Sequence, residues 1–373
     1  VLDMGCNCFR ASTSRGKEAA YSHEGIDDLL GNVRHFSYGE LRLATNNFDL
    51  SNKIGRGGFG TVYKGTLKNG TQLAVKTLSA ESKQGLREFL SEIQTIANVK
   101  HPNLVEIFGC CVERNNRILV YEFVENNSLD RMLLGPKRDK VKLDWGRRSA
   151  ICMGTARGLA FLHEELVPHI VHRDIKASNV LLNKDFTPKI GDFGLAKLFP
   201  DDITHISTRI AGTTGYLAPE YALGGQLTLK ADVYSFGVLV LEIISGKSNA
   251  RASWDGTQRL LLERAWQLHV EDNLLELVDP EMEEFPKEEV MRYMKVAFFC
   301  TQAAANQRPL MSQVVKMLSR KIRINEQQLT APGFFNDYKG SSTMLTSSKG
   351  SPRTSGSCQM NSVTVTLTDV NPR

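Results

Sequence analysis

Residues 172–194 read HRDIKASNVLLNKDFTPKIGDFG, and the spacing of their oxygen-bearing side chains decides the fold. Two short apolar runs, VLL at 180–182 and PKI at 188–190, predict a small hairpin. Asp174 and Asn179 stand before it and Asp192 after it, so two carboxylates and one amide can converge. That set can hold a magnesium ion beside a hydroxyl nucleophile. Any one of these polar residues alone would read as an ordinary loop side chain. Two motifs in this order, with a third upstream, argue for a shared site.

Composition bounds the rest. The chain has 373 residues, 41% hydrophobic and 23% charged, the profile of a globular protein with a sizeable core. A net charge of +5, from 46 basic and 41 acidic residues, is too balanced to argue for nucleic acid and remains compatible with an anionic membrane surface. The longest apolar run, VLVLEII at 238–244, is interrupted by Glu242 and falls far short of the roughly 18 residues a spanning helix needs. Seven cysteines form no CxxC pair, which points to a reducing, cytosolic compartment and against a disulfide framework or zinc site.

Outward toward the N-terminus, KIGRGGFGTVYKGTLKNGTQLAVK at 53–76 reads as strand, glycine turn, strand, with Asn69-Gly70 as a hairpin turn. Gly55, Gly57 and Gly60 form G-x-G-x-x-G. A dinucleotide-binding loop of that pattern would open a helix, whereas here Val62 continues a strand. Glycines there let backbone amides lie over a polyphosphate, and Lys76 projects an ammonium toward it. Lys76 sits in a run that should be largely buried, so it needs a carboxylate partner. Leu86, Phe89, Leu90, Ile93 and Ile96 form a helical stripe, and Glu92 borders it, with Glu88 as competitor. Before these strands, Phe36, Leu41, Ala44 and Phe48 with a Ser37-x-x-Glu40 capping box predict a short bracing helix.

Residues 1–34 lack periodicity and read as a flexible tether. Met4-Gly5-Cys6-Asn7-Cys8 has the makings of a lipid anchor, myristoyl on Gly5 and palmitoyl on Cys6 and Cys8, although Phe9 stands where the consensus has Ser or Thr. An unstructured terminus with incidental cysteines is the alternative reading. Toward the C-terminus, Leu119 and Val120 end an apolar strand, Glu122, Phe123 and Val124 offer backbone groups to an adenine, and Tyr121 guards the space behind. Residues 149–165 predict a helix under the central stretch, and Cys110 and Cys111 read as buried small hydrophobes. DVYSFGVLVLEIISG at 232–246 is apolar all round and predicts a buried helix. Beyond residue 322 the chain turns to Ser, Thr and Gly and reads as a disordered tail, and its closing VTVTLTD alternates like a strand without an evident partner.

IGRGGFGTVYKG, AVK, HRDIKASN, GDFG, GYLAPE and DVYSFG, in that order, resemble the protein kinases. FSYGELRLATNNF, VYEFVENNSLD, GLAFLHEE and EIISGK further resemble the plant receptor-like kinase (Pelle) branch, and the chain is similar to receptor-like cytoplasmic kinases of the cold-responsive protein kinase group. The resemblance implies an α+β, bilobal kinase fold: a small antiparallel β lobe (52–121) with one helix, a hinge (122–124) and a mainly helical large lobe (125–322), preceded by the bracing helix (35–51). It implies ATP and Mg2+ as cofactors. Asp174 would be the catalytic base, Lys176 would steady the phosphoryl group, and Asn179 and Asp192 would hold the metal. Ile54, Val62, Ala74, Tyr121, Glu122, Phe123 and Leu181 would line the nucleotide pocket, and Phe193 with His172 would join the packed spine between lobes. Asp232 would accept backbone hydrogen bonds from the catalytic loop, and Arg308 would pair with Glu220.

The K-x-x-N spacing of Lys176 and Asn179, with Gly212-Thr213 before APE, resembles Ser/Thr kinases. Thr204, Ser207, Thr208 and Thr213 fall in a segment that resembles an activation loop, where a phosphate would meet the like-charge excess at Arg173; Thr213 also reads as shaping the substrate groove. Expected partners are protein substrates, an upstream membrane receptor kinase and, through lipidation, a membrane surface. A pseudokinase scaffold is the competing class, and the presence of Lys76, Glu92, Asp174, Asn179 and Asp192 argues against it.

Overall fold

A computed structural model describes residues 33–57, 60–78, 83–97, 99–135, 142–249 and 260–333, with the backbone of the short stretches 253–254, 257–258 and 366–367. Gly5, Cys6 and Cys8 lie outside the described residues, as does most of the chain after Gly333. Two packed regions meet along a line of short loops. The first is a five-stranded antiparallel sheet in the order β1-β2-β3-β5-β4, built from β1 (Lys53–Gly57), β2 (Gly60–Thr66), β3 (Gln72–Leu78), β4 (Ile107–Glu113) and β5 (Asn116–Glu122).

Alternation along β3 sorts its side chains to two faces. Leu73 and Val75 bury into a cluster with Phe36, Leu41, Cys111, Ile118 and Val120. Helix α1 (Tyr38–Ala44) covers that outer face. Its N-terminus is held where Ser37 Oγ accepts from the Glu40 N–H at 3.1 Å, and Leu41 is the residue it buries. Ala74, Lys76 and Leu78 therefore face the other way, toward helix α2 (Lys83–Ile96). Phe89, Leu90, Ile93 and Ile96 bury the apolar side of α2, and Glu88 and Glu92, one turn apart, are carried inward with them.

The second region is helical. After the short α3 (Leu129–Leu133), α4 runs from Trp145 to Ala160, one turn earlier than the sequence pattern suggests, because the Asp144 side chain accepts from the Arg147 N–H at 2.9 Å and caps the added turn. It ends in one wider turn, Phe161–Glu165, that brings His163 inward. The centre of this region is α6 (Leu229–Ser245), buried from Ala231 to Ser245, with no polar face to give to water. α7 (Leu261–Val270), α8 (Lys287–Cys300) and α9 (Met311–Leu318) complete the shell.

Between the regions lie short strands that carry the loops. β6 (His169–Val171) pairs with β9 (Lys197–Phe199), and β7 (Val180–Leu182) pairs with β8 (Pro188–Ile190) to make the expected hairpin. Further on, β10 (Ile206–Ser207) pairs with β12 (Gln226–Leu227), flanking β11 (Ala211–Gly212) and α5 (Pro219–Gly224). Past α9 the chain returns across the helical region. Gly333 donates its N–H to Thr301 O at 3.0 Å, and its carbonyl accepts from Tyr234 Oη at 2.6 Å. Thr366–Leu367, within the alternating run that had no partner in the sequence, pairs in parallel with Ala211–Gly212.

Candidate active site

Asp232, near the start of α6, organises the centre. Its Oδ2 accepts from the His172 N–H at 2.7 Å and its Oδ1 from the Arg173 N–H at 2.8 Å. Two successive amides can reach one carboxylate only if the chain turns sharply, and Arg173 takes φ +71° to do so. His163, delivered by the wide turn, sits 2.9 Å from Oδ2. Burial pushes the Asp232 carboxyl up, but hydrogen bonding to His163 and the charges nearby hold it below the ordinary aspartate value. The ion is thus kept by its donors.

The loop set up in this way presents Asp174. Thr213 Oγ donates to Asp174 Oδ1 at 2.7 Å, Lys176 Nζ lies 2.8 Å from Oδ2, and Asn179 Nδ2 donates to the Asp174 carbonyl at 2.8 Å and to Oδ2 at 3.1 Å. Lys176 Nζ also donates to Thr213 Oγ at 2.7 Å, closing a ring of three side chains. The hydroxyl of Thr213 thus sits on the carboxylate itself, a contact no local pattern reveals. Asn179 accepts the Gly191 N–H on its carbonyl at 2.9 Å, and His172 Nε2 meets Gly191 O at 3.1 Å, which ties the Asp192 loop to the Asp174 loop. The His172 and Phe193 rings pack edge to face at 4.7 Å.

Lys76 joins the two regions. Its Nζ lies 2.7 Å from Glu92 Oε1 on α2 and 2.7 Å from Asp192 Oδ1. Glu92 takes the lysine and Glu88 does not; Glu88 packs against Gly194 instead, and burial pushes its carboxyl up to about 7. Burial pulls the Lys76 ammonium down, but the charges of Asp192 and Glu92 outweigh it and hold the pKa well above the usual value. The same ammonium keeps the Asp192 carboxyl below the ordinary range. The second Glu92 oxygen, buried, accepts a short hydrogen bond from Tyr121 Oη. Tyr121, expected to guard the space behind an adenine, shares the carboxylate with Lys76.

The remaining candidates fall on the sheet and its edges. Gly55 pairs with Val62, Val62 with Lys76 and Lys76 with Leu119, so the glycine strands lead by register to the ammonium. Gly57 and Gly60 pair where β1 and β2 meet. At Gly60 a Cβ would stand 2.2 Å from Thr77 O, so β3 alone already demands glycine there, apart from any ligand. Ile54, Ala74 and Leu181 are half-buried. The Glu122 side chain is taken by Lys189 Nζ at 2.8 Å, and Phe123 lies under Lys64 Nζ at 4.3 Å. A hollow of about 320 Å³ beside Glu122 is lined by Lys100, His101, Glu106, Glu122 and Lys189; both lysines are paired with glutamates, so it is no phosphate site.

The 204–213 segment is laid over the same centre. Thr204 and Ser207 are exposed, and Thr208 is half-buried with its N–H on Gly225 O at 3.1 Å. Arg173, expected to await an anion, donates to the carbonyls of Leu195 and Arg209 at 3.0 Å each and to Tyr221 Oη at 2.7 Å. Neutral acceptors meet most of its fork, and its buried Nε finds no partner among the described residues. Below, Arg308 grips Glu220 with two bonds of 2.7 and 2.8 Å.

The donor set suits magnesium. Among the described residues no hydrogen bond engages Asn179 Oδ1 or Asp192 Oδ2, and two protein oxygens leave room for the phosphate and water oxygens that complete magnesium's shell.

The model of the protein tyrosine and serine/threonine kinase family matches residues 48–318. The chain belongs to that family. The kinase is 52% identical over 338 residues to Cold-responsive protein kinase 1 of Arabidopsis thaliana, covering 90% of this chain and 86% of that protein. It is 53% identical to a "Probable LRR receptor-like serine/threonine-protein kinase" of the same plant over 85% of this chain, and 54% identical to another over 83%. The chain spans only 33% and 30% of those two receptor-like proteins. It is a serine/threonine protein kinase, a transferase, with a five-stranded antiparallel sheet in its smaller lobe and a helical larger one. Among the described residues no helix is long and apolar enough to cross a membrane.

Proposed function

We propose that this kinase transfers the γ-phosphoryl group of Mg-ATP to serine and threonine hydroxyls of proteins, with Asp174 as the base, and that it relays signals from a plasma-membrane receptor. The bonding of Lys76 to Asp192 and of Asp174 to Lys176 and Asn179, with the Gly191 N–H joining the two loops through Asn179, carries the reading. Asp174 takes the acceptor's proton, and Lys176 Nζ, 2.8 Å from it, neutralises charge that builds on the moving phosphoryl group. Lys76, fixed by Glu92, positions the nucleotide's phosphates. Asn179 and Asp192 would hold magnesium, which supplies charge neutralisation along the polyphosphate when bound. Ile54, Gly55, Gly57, Gly60, Val62, Ala74, Tyr121, Glu122, Phe123 and Leu181 are the proposed nucleotide-binding residues.

Phosphate on Thr208 or its neighbours Thr204 and Ser207 is the proposed activating modification. Among the described residues Arg173 Nε has no partner, and Lys197, whose pKa is lowered by burial and by the Arg173 charge, adds a second cation with which to receive the anion. Receptor coupling rests on the receptor-like kinases among the relatives, and autophosphorylation and a lipid anchor on Gly5, Cys6 and Cys8 belong to the same proposal. The test is transfer from Mg-ATP to a synthetic Ser/Thr peptide by the purified chain beside Asp174→Asn and Lys76→Met. Equal rates in all three overturn the assignment.

A further inference from the structure

Helix α2 carries a polar seam beside its apolar one. Glu88, Ser91, Glu92 and Thr95 recur at the spacing of a single helix face; Glu88, Glu92 and Thr95 are buried and Ser91 is half-buried. Glu92 reaches Lys76, as described above. Thr95 Oγ turns back on its own helix and donates to Ser91 O at 2.7 Å. Glu88 lies flush on the loop after Asp192, where a Cβ on Gly194 would stand 3.0 Å from Glu88 Cγ. Ser91 supplies a directed bond to the same loop: its Oγ donates to Ala196 O at 2.8 Å and lies 3.4 Å from Phe193 O.

The loop end of that bond is fixed. Ala196 is buried, its N–H donates to Phe193 O at 2.9 Å, and the carbonyl before it, Leu195 O, accepts from Arg173 Nη1 at 3.0 Å. Successive carbonyls therefore hold opposite regions of the molecule: Leu195 holds the loop of Asp174, and Ala196 holds the helix of Glu92. The helix itself has no need of a serine here, since alanine is the better helix former. Nor does the apolar face, which Phe89, Leu90, Ile93 and Ile96 already fill. Ser91 and Glu92 are neighbours on one rigid element, so a shift of α2 that breaks the Ala196 bond also carries the Glu92 carboxylate off Lys76.

We propose that Ser91 is a positioning residue for phosphoryl transfer: its hydroxyl docks α2 on Ala196 O and so holds Glu92 against Lys76, the ammonium that meets the nucleotide's phosphates. The inference rests on the kinase reading above. Ser91 touches neither the nucleotide nor the acceptor and acts through Glu92. Its effect therefore belongs to the nucleotide side of the reaction and not to the acceptor peptide.

The test is a double-mutant cycle in the full chain with Ser91→Ala, Glu92→Gln and the pair. The dissociation constant of a non-hydrolysable Mg-ATP analogue is read for all four proteins, since it stays measurable where turnover is slow, together with KM for ATP and for a synthetic Ser/Thr peptide. Ser91→Ala should weaken analogue binding by about threefold to tenfold, the worth of one neutral hydrogen bond, raise KM for ATP by a similar factor and leave KM for the peptide unchanged. In the Glu92→Gln background the same change should weaken binding by less than about twofold. Analogue affinity in Ser91→Ala equal to that of the unchanged protein overturns the inference, as does an equal loss in both backgrounds; either result leaves the kinase reading standing. Failure of the unchanged chain both to bind the analogue and to phosphorylate the peptide overturns the kinase reading and this inference with it.

Discussion

Tyr121→Phe deletes a single hydroxyl, and the structure says what that should cost. The Oη is buried and donates to Glu92 Oε2, while Lys76 Nζ holds the other oxygen at 2.7 Å. Burial already pushes the Glu92 carboxyl up, and both Lys76 and Tyr121 act against that push. Without the hydroxyl the buried carboxylate keeps one donor of two. A hydrogen bond to a charged group is worth about 1.5–3 kcal/mol, and the phenyl ring still fills the site, so packing adds little. The measurement is a double-mutant cycle in urea with Tyr121→Phe, Glu92→Gln and the pair. A coupling energy of about 1–2 kcal/mol is expected. Turnover should fall with stability, by up to about tenfold for each 1.4 kcal/mol by which α2 loses its inward position. If the two single changes add to within about 0.5 kcal/mol, the shared carboxylate carries nothing and the reasoning fails.

Asp232→Asn should destabilise the kinase by about 1–3 kcal/mol and depress turnover, because the amide can no longer accept from both the His172 and Arg173 N–H groups; unchanged denaturation midpoints would contradict it. Glu242 is fully buried on α6, with Tyr216 Oη at 2.5 Å and the Asn249 N–H at 2.7 Å, and burial pushes its carboxyl from 4.5 to about 7. The folded state then binds the proton more tightly than the unfolded state, so this contribution is present below pH 4.5 and is lost as pH rises to about 7, a change of order 3 kcal/mol. Glu242→Gln should flatten that decline across pH 5–7.5 in thermal melts; parallel curves for the two proteins would refute it. Thr208→Ala should lower peptide turnover, and phosphatase treatment of the unmodified kinase should do the same, whereas full activity after phosphatase would rule out the proposed switch.

Several parts of this protein were legible in its sequence because the relevant spacing is short. The period-two alternation of β3 and the helical stripe of α2 are local, and together they aim Lys76 and Glu92 at each other across 16 residues. The VLL and PKI runs could only pair as a hairpin, which sets Asp174 and Asn179 on one side of it and Asp192 on the other. Helix α6 announced its burial by having no polar face. What the sequence left open were the partners of side chains far apart in the chain. Nothing local says that Tyr121 should share Glu92, that Thr213 should sit on Asp174 from 39 residues away, or that backbone carbonyls should meet Arg173. Nor does any repeat betray that β11 offers an edge to residues more than 150 positions further on. Periodicity decides which face a residue takes, since that depends only on backbone geometry. Which donor meets which acceptor depends on how separate elements stack, and only the packed chain settles that.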